Sequence, residues 1–173
     1  MIPTPEYTID TDAIRKALNR LADEISFYPE MKMILSQMMK RADKKFIEQG
    51  PGWAAHAPAT RRSREYAQRR GRMAAGVGVE DKLQLTLALR HSVTRPNDAN
   101  SLAESDAYTA HLGSNLDYAL LQNEGGTINV KGHNITIPSR PFLVIEDDDK
   151  YDYAKIILKG IERRINASGL GVG

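Results

Sequence analysis

The sequence lacks cysteine altogether, and it has one tryptophan and three phenylalanines among its 173 residues. The absence of cysteine excludes a disulfide framework and metal sites built from thiolates, and it fits a reducing compartment. No apolar run approaches the length needed to span a bilayer, and the N-terminus lacks the basic start and long apolar stretch of a signal peptide. We therefore expect a protein that is made in the cytoplasm, has no membrane partner, and acts there or within something assembled there.

An excess of one charge sign is also missing. The chain has 24 basic and 22 acidic residues, giving a net charge of +2, so its global charge implies neither a nucleic-acid nor a membrane partner. Apolar residues make up 41% and charged residues 27%, which are ordinary values for a soluble globular protein. A chain of this length buries roughly 70% of its extended surface. We expect a single domain over residues 1–173, with a core that needs no covalent staples.

Residue spacings typical of catalysis or metal binding are absent from the sequence. There is no GxSxG nucleophile elbow, and no glycine-rich segment matches a nucleotide-binding loop. Four histidines are scattered singly, without the HExxH or HxH spacing of metal ligands: His56, His91, His111 and His133. We therefore predict no catalytic, cofactor-binding or metal-binding residue. A hydrolase with a His-centred site assembled only in space is retained as an alternative.

Helical periodicity marks the N-terminal part of the chain, residues 10–49. Apolar residues recur at helical spacing after the N-cap candidates Asp10 to Asp12, as far as Ile25. Pro29 fits the first turn of a second helix, which continues at the same period to about Gln49.

Residues 50–79 read as a loop followed by an arginine-rich segment. Gly50 to Gly52 stop the second helix, and Trp53 follows; we interpret it as a packing anchor, with a ligand platform as the alternative. Six arginines and one glutamate within residues 61–72 predict a phosphate or nucleic-acid contact. For a charge run we favour the alternatives, which are a solvated helix or mobile arm, or a surface for acidic neighbours in an oligomer. The candidate contact residues here are Arg61, Arg62, Arg64, Arg69, Arg70 and Arg72.

The patterns that follow are mixed. Leucines alternate at the strand period over residues 83–90, but the residue types are helix formers, so both interpretations stay open. Ser92 to Thr94 is β-prone and favours a strand at that point. A loop is predicted over Arg95 to Asp106, a strand over Ala107 to Leu112, and a short helix over Asn115 to Gln122 that buries Tyr118, Leu120 and Leu121.

The clearest local pattern predicts a β-hairpin. Gly125-Gly126 allows a tight turn into it, and the alternating segments Ile128–Val130 and Asn134–Ile137 flank its tip. Because a short strand pair is stable only on a larger sheet or a helix, we expect the hairpin to add to a sheet. Lys131 and His133 at the tip are candidate interaction residues.

A fixed turn follows the hairpin. Pro138 and Pro141 each hold φ near −65° and bracket Arg140. We expect the Arg140 guanidinium to bond to backbone carbonyls or a carboxylate of the same protomer, as an internal staple. Phe142 and Leu143 are then predicted to fill the core under the last helix.

That last helix is predicted to begin at the acidic run Glu146 to Asp149, where the helix macrodipole favours carboxylates, and to continue to about Asn166. A flexible tail follows over residues 168–173. The predicted fold class is α+β, with residues 80–167 as the α+β core. We expect a small, mostly antiparallel sheet with a β-hairpin, packed by long N-terminal helices and a C-terminal helix.

Several short motifs occur in order along the chain. They are F-I-E-Q-G-P-G-W at 46–53, a Thr at position 60, Y-A at 118–119 ahead of N-E-G-G at 123–126, and I-P-S-R-P-F-L at 137–143. This series resembles the phage virion morphogenesis family, whose pattern runs F-x-x-x-G-x-G-W, a Thr, T-G-x-L-x-x-S, Y-A-x-x-x-x-x-G-G and I-P-A-R-P-F-L. Ser139 stands where the family has Ala. Leu87 stands where the T-G-x-L-x-x-S motif has Gly, and that departure bears on the local backbone.

The resemblance covers about residues 10–165 and implies a non-enzymatic virion part that acts at the neck or tail end during assembly. Within that family, the chain resembles the tail-completion proteins of phages such as Mu and P2. The resemblance also implies a small sheet wrapped by helices and self-association into rings, often six-fold. The implied partners are phage tail, neck or head–tail connector proteins, and the implied location is the virion, assembled in the bacterial host cytoplasm.

A ring protomer needs two complementary surfaces, because head-to-tail contacts close by rotation. We hypothesise that the arginine-rich segment 61–72 and the acidic run 146–149 meet across a subunit boundary, with Trp53 as a further contact candidate. A nucleic-acid-binding module that uses the arginine-rich segment is the alternative from another class. Binding to DNA with a steep salt dependence would favour it.

Overall fold

The computed structural model describes residue 19 and residues 26–50 and 52–167. The predicted helix that ends near Ile25 and the tail at 168–173 lie outside these residues. The elements follow one another in the order α1 Tyr28–Ile47, α2 Pro58–Arg69, α3 Ala88–Thr94, β1 Ser101–Ser105, β2 Ala110–Ser114, α4 Ala119–Glu124, β3 Gly126–Val130, β4 His133–Ile137 and α5 Asp147–Ala167. The α+β class is confirmed.

Helix α1 forms as the sequence predicts. Pro29 lies in its first turn, where the missing N–H is not needed, and Lys44 and Lys45 lie in its last turn, where the macrodipole favours cations. The helix ends at Ile47, close to the predicted end, and the chain then turns through Gln49 with φ +58°.

The core is formed where α1 meets the loop and turn motifs. Phe46 is fully buried, and its ring meets Trp53 edge-on at 6.0 Å and Phe142 at 5.5 Å between centroids. The packing-anchor interpretation of Trp53 is therefore confirmed. The ring of Phe142 contacts α1 through Phe46, and Leu143 packs against the same cluster. The buried members are Ala42, Phe46, Trp53, Leu89, Val93, Ala119 and Phe142.

The strands form two separate antiparallel pairs in the described residues. β1 and β2 pair from Ser101 opposite Ser114 and pack against α1 and α3. β3 and β4 pair from Gly126 opposite Ile137, and no third strand of the described chain joins them. The hairpin is thus confirmed, but the expectation that it adds to a larger sheet is wrong. It is anchored at its base instead, where the backbone N–H of Arg140 donates to the carbonyl of Gln122 at 2.9 Å.

The segment before β1 differs from its sequence pattern. Residues 83–90 do not form a strand, because Leu83 and Leu87 adopt φ +61° and +63°, which breaks an extended chain. Ser92 to Thr94, which favoured a strand, lies in helix α3. Ser92 donates from its hydroxyl to the carbonyl of Leu89 at 2.8 Å, a local bond that suits the helical turn.

Three further predictions are corrected between residues 95 and 124. β1 lies inside the predicted loop, and β2 begins at Ala110, three residues later than predicted. Helix α4 begins at Ala119 rather than Asn115, so a different face is buried. Leu120 is 67% exposed and Tyr118 is 42% exposed, while Ala119 is buried.

Helix α5 is confirmed and is tied to α1 by charge at both ends. At its start, Lys45 pairs with Glu146 at 2.6 Å, and the buried Asp149 pairs with Arg41. At its other end, the Arg163 and Arg164 side chains converge on a carboxylate of α1.

That carboxylate belongs to Glu30, which is 1% exposed. Arg163 donates to its Oε1 at 2.9 Å, and Arg164 donates to Oε1 at 3.1 Å and to Oε2 at 2.8 Å. The hydrogen bond from Arg164 is the largest cause that lowers the pKa of Glu30. Gly160 faces this carboxylate, and any β-carbon there would overlap Oε1.

Candidate assembly surfaces

The closing motif forms an internal staple. Arg140 is 7% exposed, and its Nε and Nη2 donate to the carbonyl of Ala54 at 3.4 and 3.2 Å. Burial lowers the pKa of this guanidinium. The predicted bonding of Arg140 to a backbone carbonyl of the same protomer is therefore confirmed, and it ties the hairpin's return to the loop that carries Trp53.

Asn123 is a central residue that sequence reasoning missed. Its Oδ1 accepts hydrogen bonds from the backbone N–H groups of Phe142 and Leu143, and its own carbonyl accepts from the Ser139 hydroxyl at 2.8 Å. The signal was present, because Asn123 precedes the double glycine by two residues, where a side-chain amide can bond a neighbouring turn.

The double glycine is required by the backbone at this point. Gly125 has φ +75°, and a β-carbon on it would lie 2.6 Å from the backbone nitrogen of Ser139. Only glycine combines this conformation with this close approach. At the other end of the hairpin, Lys131 and Gly132 have φ +51° and +83°, as a two-residue type I′ turn requires.

One face of the hairpin is apolar and exposed. Because side chains alternate along a strand, Ile128 and Val130 share a face with their partners Ile135 and His133. The exposed fractions are 36% for Ile128, 42% for Val130 and 43% for Ile135. The hairpin thus presents to solvent the side that would ordinarily cover a core.

The opposite face is polar and pairs across the strands. The Thr127 and Thr136 hydroxyls lie 3.4 Å apart, and the Asn129 amide donates to the Asn134 side-chain oxygen at 3.0 Å. These cross-strand pairs hold the register without help from an apolar core.

The arginine-rich segment forms helix α2 and its C-terminal turn. Arg64 is 7% exposed and donates to the carbonyls of Val79 at 2.7 Å and Gly78 at 3.2 Å. Arg61 pairs with Glu80 at 2.9 Å. The remaining arginines of the segment are exposed: Arg62, Arg69, Arg70 and Arg72. The segment is thus a helix with one internal arginine and a solvated basic face.

The other predicted interaction residues lie in contrasting surroundings. Trp53 is buried, at 8% exposure, so its ring serves the core of this protomer. Lys131 and His133 are exposed at the hairpin tip. The structure does not bring the tip and Trp53 into one site, and their role as contacts stays a prediction.

A groove of about 560 Å³ lies between the hairpin and α2. Arg64 and Arg140 both border it, together with His56, whose pKa is lowered first by burial and then by the positive charge of Arg64, with a smaller part from Arg140. Apolar side chains form the rest of the lining, including Leu85 and Ile135. The groove therefore combines apolar walls with positive charge.

Within residues 26–50 and 52–167, no three histidine or acidic side chains are grouped so that they could hold a metal ion. None of the helices in these ranges combines the length and apolar character needed to cross a bilayer.

The protein is thus a small α+β unit. Its ordered motifs build a scaffold around Phe46, and its hairpin, groove and basic helix lie at the surface. The model of the phage virion morphogenesis family matches residues 9–162, so the chain belongs to that family. It is therefore a bacteriophage structural protein of virion assembly, associated with the virion. No curated protein and no solved structure matches it.

Proposed function

We propose that the protein completes the phage tail at the neck or tail end, as a non-enzymatic part assembled in the host cytoplasm. It does so by associating with itself in a closed ring and by docking on tail or head–tail connector proteins. Membership of the virion morphogenesis family supports this proposal at the level of virion assembly.

The exposed apolar face of the hairpin is the observation that carries the self-association. An isolated two-stranded hairpin is marginal in water, and contiguous exposed apolar surface marks interaction sites. Ile128, Val130 and Ile135 are therefore expected to become buried against a neighbour. A heterologous contact of this kind, repeated by rotation, closes a ring.

Fewer carboxylates of the acidic run are free to contact the arginine-rich segment of a neighbour than the sequence suggests. Three of the four acids already pair within the chain, Glu146 with Lys45, Asp149 with Arg41, and Asp147 with Lys150 at 2.8 Å. We therefore assign the main contact to the hairpin, and the exposed basic face of α2 to the rim of an interface.

The test is the mass of the protein in solution and on tails. Sedimentation over a range of concentrations, followed by electron microscopy with isolated tail tubes, is expected to show ring-sized particles. Ile128→Asn is expected to lower the affinity of self-association about tenfold. Thr127→Asn is the matched control, because it makes the same new side chain on the polar face of the same strand. A chain that stays monomeric at every concentration and does not join tails overturns the proposal.

A nucleic-acid-binding role remains the second candidate, favoured by the four exposed arginines that lie beside Arg61, which already pairs with Glu80: Arg62, Arg69, Arg70 and Arg72. If all four neutralise phosphates, the logarithm of the affinity for duplex DNA should fall with a slope of about −3.6 against the logarithm of the salt concentration. Replacing Arg62 and Arg69 by glutamine should lower that slope to about half. A salt-independent signal, or none, removes this candidate.

A further inference from the structure

We propose that the groove between the hairpin and α2 binds an extended peptide segment of a tail or neck protein, one that carries a carboxylate between apolar side chains. This rests on the proposed function and names the chemistry of the partner segment that docks. Three independent features of the groove support this: arginines without an ion-pair partner, a free strand edge and apolar walls.

Two nearly buried guanidinium groups border the groove without a carboxylate ion pair in the described residues. Arg64 donates to two backbone carbonyls and Arg140 to one, and each is 7% exposed. Asp81 and Glu80 lie near enough to stabilise the charge on Arg64, but neither forms an ion pair with it. The Asp81 carboxylate accepts from the backbone N–H of Gly78 at 2.7 Å, and Glu80 pairs with Arg61 at 2.9 Å. Charge removed from water is costly without a counter-charge.

Elsewhere the chain pairs its buried charges directly. The carboxylate of Glu30 receives two arginines, and that of Asp149 receives Arg41. The groove arginines are the exception within the residues described, and an incoming anion would supply the partner that they lack. Guanidinium groups also bind carboxylates with two parallel hydrogen bonds, which fixes the position of the ligand.

The groove also borders the free edge of a strand. β4 pairs with β3 on one side only, and its residues Ile135 to Ile137, followed by Pro138, line the groove. The outer edge of such a strand carries unpaired N–H and C=O groups. An extended segment that pairs there would turn a marginal two-stranded hairpin into a three-stranded sheet. Pro138 has no N–H and would end the pairing.

The remaining walls suit the alternate side chains of that segment. Leu83, Leu85 and Leu89 lie across from the hairpin, and Tyr118 borders the same space. A volume of about 560 Å³ lies within the range of roughly 300–1,000 Å³ that is typical of binding pockets. Apolar walls and a strand edge favour a peptide over a phosphate backbone, for which the exposed arginines on the outside of α2 are the better surface.

In the experiment, the full chain is immobilised and ligands that bind to it are selected from a random library of seven-residue peptides. Selected peptides are then measured by fluorescence polarisation, each beside a copy in which its acidic residue is replaced by the amide. We expect the selection to enrich an Asp or Glu flanked by apolar residues, and the amide copy to bind about tenfold or more weakly.

Two variants locate the site without removing a staple. Leu85 is 37% exposed and lines the groove, so Leu85→Glu adds a negative charge there while Leu85→Gln adds a neutral side chain of similar size. We expect about tenfold weaker peptide binding with Leu85→Glu and less than about threefold with Leu85→Gln. Circular dichroism confirms that each variant is folded.

Peptides without an acidic residue, or peptides whose binding ignores Leu85→Glu, overturn the inference. Competition by a thymidine hexanucleotide at the same site overturns it in favour of a phosphate ligand, and self-association that Leu85→Glu abolishes overturns it in favour of a second copy. A parent chain that forms rings but binds no peptide contradicts this inference alone. Peptide binding by a chain that neither forms rings nor joins tails contradicts the proposed function alone.

Discussion

Asn123 holds Phe142 in place from across the hairpin: its side-chain oxygen accepts the backbone N–H of Phe142 at 3.0 Å and that of the next residue at 2.9 Å. The same asparagine therefore links the end of α4 to the turn that inserts the aromatic ring into the core. One acceptor satisfies two donors that a proline-rich turn leaves without a secondary-structure partner.

Replacing Asn123 by alanine should lower the free energy of unfolding by about 1–3 kcal/mol, because two backbone donors lose their acceptor. Asn123→Asp keeps an acceptor oxygen in place and should cost less than half as much. Urea denaturation of the two variants measures the difference. Equal losses for both would mean that packing of the side chain, and not the acceptor, is what matters.

Phe142→Ala should lower the free energy of unfolding by about 3–5 kcal/mol, because the ring is 2% exposed and packs on Phe46. Phe142→Leu retains an apolar side chain and should lose less. Chemical denaturation provides the values. A near-neutral Phe142→Ala would show that this ring is not part of the core of the isolated chain.

Leu87 adopts a left-handed backbone conformation in which a β-carbon costs about 1–2 kcal/mol. The resemblance to the family pattern places glycine at this position. We predict that Leu87→Gly is more stable than Leu87→Ala by about 1 kcal/mol, since both remove the leucine side chain but only glycine relieves the backbone.

The control for this comparison is an exposed helical position, Ala154 in α5. There Ala154→Gly should lower stability by about 1 kcal/mol, because glycine is the poorer helix former. Thermal unfolding of all three variants and the parent decides the sign. If Leu87→Gly were less stable than Leu87→Ala, the backbone of residue 87 would not be left-handed in solution.

The pH dependence of stability should reflect Glu30. Its pKa is lowered from the usual 4.5 in the folded chain, so its contribution is fully present above about pH 4.5 and is lost as the pH falls through the folded value. Glu30→Gln should therefore be less stable than the parent at pH 7, and the gap should narrow in acid.

Urea unfolding between pH 7 and pH 3 tests this, with Glu162→Gln as the matched change at an exposed position of α5. The control should leave the difference from the parent small throughout. A gap between parent and Glu30→Gln that does not change with pH would contradict the predicted role of the ionised carboxylate.

The elements that the sequence predicts well are those with local causes. Pro29 starts α1, the acids near residue 147 start α5, and Gly125 and Gly132 occupy turns that need left-handed backbone. The hydrogen bonds from Arg140 to a backbone carbonyl also follow from its neighbours, since the two flanking prolines fix the backbone from which its side chain extends.

The errors arise where distant pairing decides. β1 carries only the weak alternation Ser101 to Ser105, and its strand state comes from pairing with β2. Conversely, the leucine alternation through Leu83 and Leu87 is strong, yet two positive φ values prevent a strand. Local pattern states a tendency, and tertiary contacts override it.

The candidate surfaces show the same division. The exposed hairpin tip and the basic face of α2 are visible in the sequence as charge and turn residues. The groove is not, because Arg64 and Arg140 lie far apart along the chain and meet only in space. Likewise, no pattern distinguishes Arg64, which bonds inward, from Arg62, which faces solvent.

The missing side chain at Gly160 limits how far α1 and α5 can slide along each other. Glu30 fits against α5 only where a side chain is missing, and Arg163 and Arg164 stand one turn beyond to receive it. A shift of α5 by one turn would bring the Ile156 side chain against the carboxylate and would put Lys159 and Gly160 where Arg163 and Arg164 now lie, so the two-arginine contact would be lost. The contact between Glu30 and Gly160 therefore fixes α1 and α5 in one register along their axes.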